Sequence, residues 1–295
     1  MSPMIRDLML RRLADLSRRL PIFRGKGRLQ RTISRALYPQ GDPPRALEVE
    51  LDGLRWELDV RELIQFRLLW DGTHEPHVLA WLTRELAQRP HPVLWDVGAN
   101  IGAMSLFAAR RAPAGARVES FEPSPRVHAR LARQLALNPG LPVRAHRLAL
   151  SDRAGTADFH ESAEVSNGGL GTLYAAPNTV ALATAVETAR GDDLIASGLV
   201  PPPDVMKIDV EGFEPEVLDG LASTLATHHP VLCVESSAYR LDSRGLPRDH
   251  IAKRLEALGY RVTVLAGDRA GEERALRAGD LDGNHDLIAR PPHEP

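Results

Sequence analysis

From Val93 onward, short apolar runs alternate with helix-patterned segments, and this alternation restricts the fold more than any other feature of the sequence. Strands are expected at Val93–Val97, Ala116–Phe121, Val143–Ala149, Pro203–Asp209 and Val231–Glu235. Helices are expected at Gly102–Arg110, Pro125–Leu137, Pro215–Leu225 and Pro247–Leu258, and closing strands at Tyr260–Leu265 and Asp286–Ala289. Such an order calls for a mostly parallel α/β sheet of the Rossmann-like kind, with helices on both faces. The stretch Gly155–Arg190 breaks the rhythm; it reads as irregular, with short strands at Ala157–His160 and Thr184–Ala189.

In such a sheet, ligands bind where a strand end turns into a helix. The first such turn is Asp96-Val-Gly98-Ala99-Asn100-Ile-Gly102. Gly98 permits a sharp turn, Asn100 tolerates left-handed backbone angles, and Gly102 lets the helix approach the sheet. A dinucleotide fingerprint would place a glycine at the position of Asn100, where the backbone nears a pyrophosphate. An acid two residues before the first glycine suits positive charge better than phosphate. S-adenosylmethionine, with its ammonium and sulfonium, therefore fits this turn better than a nicotinamide dinucleotide does. Glu122, at the end of the next strand, is placed to accept from ribose hydroxyls. Ser151-Asp152 follow the third strand, where an adenine edge would lie.

The fourth strand ends in Lys207-Ile-Asp209-Val-Glu211-Gly-Phe-Glu214-Pro215. At a period of two, Lys207, Asp209 and Glu211 share a face. Charged groups at the end of a central strand are costly unless paired. Methyl transfer to a hydroxyl needs alignment and a proton acceptor. Asp209 or Glu211 is the candidate base, with Lys207 holding one of them by an ion pair. His160 is a further candidate. Asp209 with Glu235 would be the pair available to a divalent cation, although no metal is expected.

The N-terminus differs in character. Residues 1–40 carry ten Lys/Arg against Asp7 and Asp15, so this segment is strongly basic while the whole chain has a net charge of −2. Ile5, Leu8, Met9, Leu13, Leu16 and Leu20 recur at helical spacing, ahead of breakers at Pro21 and Gly25. Two readings stay open: an interfacial helix for an anionic membrane or a partner, or a helix packing one stripe on the main domain. Leu29–Leu37 reads as a second helix, and Ala46–Asp59 as a hairpin turning at Asp52-Gly53. Glu75-Pro76 opens a helix. We expect a basic helical extension over 1–45, a hairpin and helix over 46–90, and the main domain over 91–290. A single cysteine, Cys233, excludes an internal disulfide and a cysteine-based zinc site. No apolar run is long enough for a membrane span, no secretory leader is evident, and no global charge favours nucleic acid. A cytoplasmic setting, with membrane-peripheral contact open, follows as the expectation.

Three stretches together resemble the FkbM-type S-adenosylmethionine-dependent methyltransferases: Asp96-Val-Gly-Ala-Asn-Ile-Gly102, Phe121-Glu-Pro123, and Lys207-Ile-Asp-Val-Glu-Gly-Phe-Glu214. Gly72-Thr-His-Glu-Pro76, Ser151-Asp152 and Glu235 add to the likeness. The resemblance implies a seven-stranded sheet with an antiparallel last strand. It also implies O-methylation of a small-molecule, glycan or lipid-linked hydroxyl. By the same resemblance, Asp96, Gly98, Ala99, Asn100 and Gly102 line the methionine end of the donor. Glu122 holds the ribose, Ser151 and Asp152 the adenine, and Asp209 and Glu211 face the methyl group. Asn167-Gly-Gly-Leu-Gly171 departs from relatives where the acceptor pocket is expected. The alternatives are an N-methyltransferase, which would want an Asn/Asp-Pro-Pro-aromatic segment after the fourth strand, or a Rossmann-type nucleotide-binding oxidoreductase.

Overall fold

The computed structural model describes residues 2–20, 24–38, 46–162, 171–173, 181–267 and 270–292. The glycine-rich stretch expected to shape the acceptor pocket lies, except for Gly171, outside them.

Two helices, α1 (Pro3–Arg19) and α2 (Lys26–Leu37), precede a hairpin of β1 (Ala46–Leu51) and β2 (Leu54–Asp59). The hairpin turns on Asp52 and Gly53, both at positive φ, as a two-residue turn with the right twist requires. Helices α3 (Leu63–Asp71) and α4 (Pro76–Ala87) lead into the main sheet. Its parallel part is built from β3 (Val93–Val97), β4 (Arg117–Phe121), β5 (Val143–His146), β10 (Val205–Ile208) and β11 (Val231–Ser237). The strands β12 (Arg261–Leu265), β13 (Glu273–Ala275) and β14 (Asn284–Arg290) complete it in the order β13-β12-β14-β11-β10-β3-β4-β5. As expected, the last strand, β14, runs antiparallel between β11 and β12. Among the described residues the sheet has eight strands, not seven. The addition is β13, paired antiparallel to β12. Glu273 pins it, accepting from Trp81 Nε1 at 3.1 Å and Thr263 Oγ1 at 3.0 Å.

Alternate residues send side chains to opposite faces, and each face has its own core. Leu94, Val205, Val231 and Cys233 face one core with α5 (Ala103–Arg111), α6 (Pro125–Leu137) and the N-terminal elements. Trp95, Val97, Met206, Ile208 and Leu232 face the other with α8 (Glu214–Asp219), α9 (Ala222–Thr227) and α11 (His250–Ala257). The expected helix Pro215–Leu225 divides at Gly220 and Leu221 into α8 and α9, and position 220 requires glycine, since an added Cβ there would sit 1.9 Å from the Ser151 carbonyl oxygen.

The described parts of the stretch that looked irregular form, with Ala149–Leu150, a second sheet ordered β6-β9-β7-β8, from β6 (Ala149–Leu150), β7 (Gly155–Ser162), β8 (Gly171–Thr172) and β9 (Ala181–Ala189), and the strands expected at Ala157–His160 and Thr184–Ala189 lie within β7 and β9. The expected strand Val143–Ala149 is thus shared between two sheets. Its first half pairs with β4 and its end pairs with β9.

Helix α1 is held to the body by Leu10, Ala14 and Ser17, which are buried, and Gln30 Nε2 donates to Ser17 Oγ at 3.0 Å. Of the stripe that looked apolar in the sequence, Ile5, Leu8, Met9, Leu16 and Leu20 are exposed, whereas Leu13 is partly buried against the core. Trp56 from β2 sits under α5 with its ring centroid 5.2 Å from that of Phe107. Among the described residues, no helix is long and apolar enough to cross a membrane. Trp56→Ala should lower unfolding free energy by about 3–5 kcal/mol in urea titrations, since it opens a cavity beneath a helix that carries the ligand turn.

Candidate active site

The carboxyl ends of β3, β4, β10 and β11 open into a cavity of about 210 Å³. Six acidic side chains line it, Glu75, Asp96, Glu122, Asp209, Glu211 and Glu235, against Lys207 and His74. Its apolar wall includes Met104, Phe121, Leu148, Leu150 and Phe159.

Strand register places the central charges. Lys207 of β10 lies between Asp96 of β3 and Cys233 of β11. The residue is 5% exposed, and its Nζ donates to Asp209 Oδ2 at 2.9 Å. Burial works against its charge, but the Asp209, Asp96 and Glu75 carboxylates outweigh that and hold the ammonium well above the usual lysine range. Burial pulls Asp209 the other way too. There the Lys207 ammonium prevails and keeps the carboxylate below its ordinary value.

Asp96 is 1% exposed. Its Oδ2 accepts from Ser105 Oγ at 2.5 Å, and that hydroxyl lies 2.7 Å from Ser120 Oγ. Its Oδ1 is buried without a hydrogen-bond partner. Burial, opposed by Lys207 and Ser105, raises its pKa. A buried, unpartnered carboxylate oxygen at a cavity wall is costly, and a donor ligand would satisfy it.

The glycine turn spends its own amides. Gly98 N and Ala99 N donate to the Phe121 carbonyl at 3.0 and 2.9 Å, and Gly102 N to the Ala99 carbonyl at 2.8 Å. Asn100, at φ 53, donates its amide to Glu122 Oε2 at 3.0 Å, and its Oδ1 accepts from Ile101 N at 2.7 Å. No amide from Gly98 to Gly102 is left to cradle a pyrophosphate. An ammonium-bearing ligand meets the opposite situation: carboxyl oxygen in excess and an unsatisfied Asp96. The residues present therefore fit S-adenosylmethionine. Gly98 itself is demanded by the fold, since a Cβ there would fall 1.9 Å from the Asp209 carbonyl oxygen.

Not every expected residue lines the cavity. Gly102 caps α5 at φ 87 and lies against Leu131 and Leu106, where it sets helix packing. Ser151 Oγ donates to Asp152 Oδ1 at 3.0 Å, and both residues stand beside the cavity wall at Leu150 without lining it. Lys207, Asp209 and Glu211 do not share one strand face, because β10 ends at Ile208 and Glu211 turns left-handed at φ 57. Its carboxylate pairs with Arg240 Nη2 at 2.8 Å. Glu214 staples this loop by accepting from Val210 N and Gly212 N at 3.0 and 3.1 Å, and burial pushes it up to about 7. His160 pairs with Thr172 in the second sheet, away from the cavity lining.

Asp209 and Glu235 share a hydrogen bond between carboxyl groups. The Asp209 charge, then burial, holds Glu235 well above the usual range, so Glu235 is the protonated partner. Among the described residues, no group of three or more His, Cys, Asp or Glu side chains is placed to hold a metal. The sequence reading used His74 and Glu75 only as part of a likeness and as a helix start. In the structure both line the cavity. The signal that would have marked Glu75 is conformational, a left-handed φ of 44 immediately before Pro76, and it is not written in residue type.

Lys207→Met should cost about 3–5 kcal/mol at pH 8, because it strands buried carboxylates. In the variant, Asp96 and Asp209 would bind protons more readily folded than unfolded, so its deficit should shrink toward pH 5. Denaturant titrations at the two pH values measure both effects.

Comparison with known proteins shows the family. The family model described as the methyltransferase FkbM domain matches residues 96–262. The chain is 32% identical over 176 residues to the hexuronic acid methyltransferase AglP of Haloferax volcanii, covering 60% of this chain and 68% of that protein. It is 33% identical over 167 residues to the 31-O-demethyl-FK506 methyltransferase FkbM of Streptomyces tacrolimicus, covering 48% of this chain and 64% of that one. The 2-O-methyltransferase NoeI of Sinorhizobium fredii matches at 30% over 152 residues, 48% of this chain and 61% of the relative. So the chain spans less than two thirds of these last two relatives. Among solved structures, the methyltransferase FkbM from Methylobacillus flagellatus aligns over 90% of this chain and 71% of its own, with a TM-score of 0.43 and 16% identity. With the family match running over more than half its length and through the Asp96, Glu122 and Lys207–Glu211 segments, the chain belongs to the FkbM family of S-adenosylmethionine-dependent methyltransferases.

Proposed function

We propose that the chain methylates a hydroxyl on a small-molecule, glycan or lipid-linked acceptor. The observation that carries this reading is the cavity itself. Six carboxyl groups face one fully buried ammonium, beside an apolar wall, at the strand ends where this fold binds ligands. A surplus of carboxyl groups attracts a cationic donor and offers acceptors to a polyhydroxylated substrate. The names of two relatives point the same way, a 2-O- and a 31-O-demethyl-FK506 methyltransferase, and a third, a hexuronic acid methyltransferase, names a sugar acid as acceptor.

S-Adenosylmethionine, when bound, supplies a methyl group activated by its sulfonium. The protein's part is to bind, align and deprotonate. Asp96 Oδ1 takes the donor's ammonium and ends its own unsatisfied state. Glu122 keeps lone pairs for the ribose while its two oxygens hold Asn100 N and Ser124 N at 3.0 and 2.9 Å. Gly98, Ala99 and Asn100 shape the turn around the methionine end. Phe121 and Leu150 offer apolar surface to the adenine, with Ser151 and Asp152 just behind. Lys207 fixes the rotamer of Asp209, and Arg240 that of Glu211, so these two groups border the methyl end as positioned walls. In-line displacement then needs the acceptor hydroxyl aligned and its proton removed. A grip for a planar amine of the Asn/Asp-Pro-Pro-aromatic type is missing at Asp209-Val-Glu-Gly212, which disfavours N-methylation. We also propose that segment 46–90 works as part of the unit formed with 91–290, since Leu63, Ile64, His74 and Glu75 line the cavity, and that 1–45 is an extension.

Incubation with methyl-labelled donor and pools of hydroxylated sugars, lipids and natural products should place label in a product stable to mild alkali, as a methyl ether is. Label confined to amines, or released by alkali as from a carboxylate ester, would refute methylation of a hydroxyl.

A further inference from the structure

The carboxyl groups of the cavity are not equivalent, and their partners sort them. Asp96 holds Ser105, and Glu122 holds two backbone amides. Asp209 holds Lys207 and accepts from Glu235, while Glu211 holds Arg240. Glu75 differs. Among the described residues its carbonyl accepts from Leu79 N at 3.1 Å, while its carboxyl group has no hydrogen bond and no ammonium or guanidinium within ion-pair distance. Its contact is His74 Nε2 at 3.6 Å from Oε1. Burial, then Lys207, pushes His74 down to about 4, so the ring is neutral and a weak base. The Glu75 side chain is 30% exposed, and that exposure opens on the cavity. It is held there at the start of α4 in a left-handed conformation that glutamate rarely adopts, locked by Pro76. Strain of this kind at a cavity wall is a mark of a functional position.

We propose that Glu75 is the general base that takes the proton of the acceptor hydroxyl. This deepens the methyl-transfer reading and rests on it. As the acceptor oxygen bonds to the methyl carbon, the carbon–sulfur bond breaks and its electron pair stays on sulfur. The hydroxyl proton passes to a Glu75 oxygen and then to solvent. The groups around Glu75 are His74 and His77 on its own segment, Lys207 and Asp209 from β10 and its loop, and Asp286 from β14. Burial pushes Glu75 up to about 7; Lys207 opposes this, and Asp209 and Asp286 add to it. A carboxylate so placed is matched to proton transfer near neutral pH, whereas Asp209, held low by Lys207, is a poor acceptor. The base thus comes from outside the span 96–262 that the family model matches.

The test compares wild type, Glu75→Gln, Glu75→Asp and Asp209→Asn. Carbon-13 NMR of glutamate carboxyls in the ligand-free protein should show a group titrating near 7 that Glu75→Gln removes. Calorimetry with S-adenosylhomocysteine should give affinities within about threefold of wild type for both Glu75 variants. Single-turnover transfer should fall on the order of 10²–10⁴-fold in Glu75→Gln, with the acid limb of the rate–pH profile lost, and partly recover in Glu75→Asp. Wild-type rate in Glu75→Gln, an unmoved acid limb, no carboxyl near 7 that Glu75→Gln removes, or loss explained by weaker S-adenosylhomocysteine binding would each overturn the assignment. S-adenosylhomocysteine binding absent from wild type would instead overturn the methyl-transfer reading.

A separate surface carries a second proposal. Helix α1 buries Leu10, Ala14 and Ser17, yet presents Met4, Ile5, Leu8, Leu16 and Leu20 to solvent. Exposed Arg11, Arg12 and Arg19 are interleaved with them, and Arg28, Arg31 and Arg35 of α2 are exposed as well. The two acids of residues 1–40 are taken up internally, Asp7 by Tyr38 and Asp15 by Arg18. We propose that this face docks on an anionic lipid surface. Arginine answers the headgroups and the apolar side chains enter the acyl boundary, a combination that a polyanion such as RNA would not require. Co-sedimentation at physiological salt should show binding to vesicles of phosphatidylglycerol and phosphatidylcholine, and none to phosphatidylcholine alone. Arg11→Glu with Arg12→Glu, and separately Leu8→Asn with Leu16→Asn, should each reduce binding at least tenfold. No partition to the anionic vesicles, partition unaffected by the leucine pair, or preferential capture of RNA or an acidic protein would overturn it.

Discussion

The buried Lys207 ammonium is the interaction around which the site is organised. Taking a lysine charge out of water costs several kcal/mol, and only opposite charges at close range offset it. Register supplies them, with Asp96 directly across on β3 and Asp209 one step past the strand end. One cation cannot satisfy every carboxyl group nearby. Glu75, Asp96, Glu211 and Glu235 are all driven upward, Glu235 first by the Asp209 charge and the others first by burial. The cavity is therefore short of positive charge by construction, and a cationic donor makes good that shortage.

The backbone reinforces this selectivity. In a dinucleotide fold, the amides of the glycine turn face the ligand and bind phosphate. Here the Phe121 carbonyl, Glu122, Asn100 and the Ala99 carbonyl consume those amides. The same strand–turn–helix frame thus presents carboxylate oxygen where a phosphate binder presents N–H. Gly98 is needed for a second reason. It lets the ends of β3 and β10 touch at the Asp209 carbonyl, which joins the donor turn to the acidic loop.

Much of this was legible in the sequence because it lies in local patterns. Strand ends followed by Asp96-x-Gly98, Glu122 and Lys207-x-Asp209 announce themselves by spacing, and the hairpin at Asp52-Gly53 is a turn signal. What was hidden depends on long-range placement. Glu75 lies about twenty residues ahead of the first core strand, and its importance comes from a backbone angle and from neighbours on β10 and β14. Glu211 looked like a strand residue until its left-handed backbone sent it to Arg240. Short strands were legible at Ala157–His160 and Thr184–Ala189, but their pairing as β7 and β9 in a separate sheet is a long-range matter that residue type does not carry. The apolar stripe of α1 was visible, but which side of the helix met the body was not.

The central claim is that the cavity is built for a cationic methyl donor and not for a phosphate-bearing cofactor. Isothermal titration of the purified protein with S-adenosylhomocysteine and, in parallel, with NAD addresses it most directly. The account predicts saturable one-to-one heat with S-adenosylhomocysteine and none with NAD. Heat with NAD alone would contradict it.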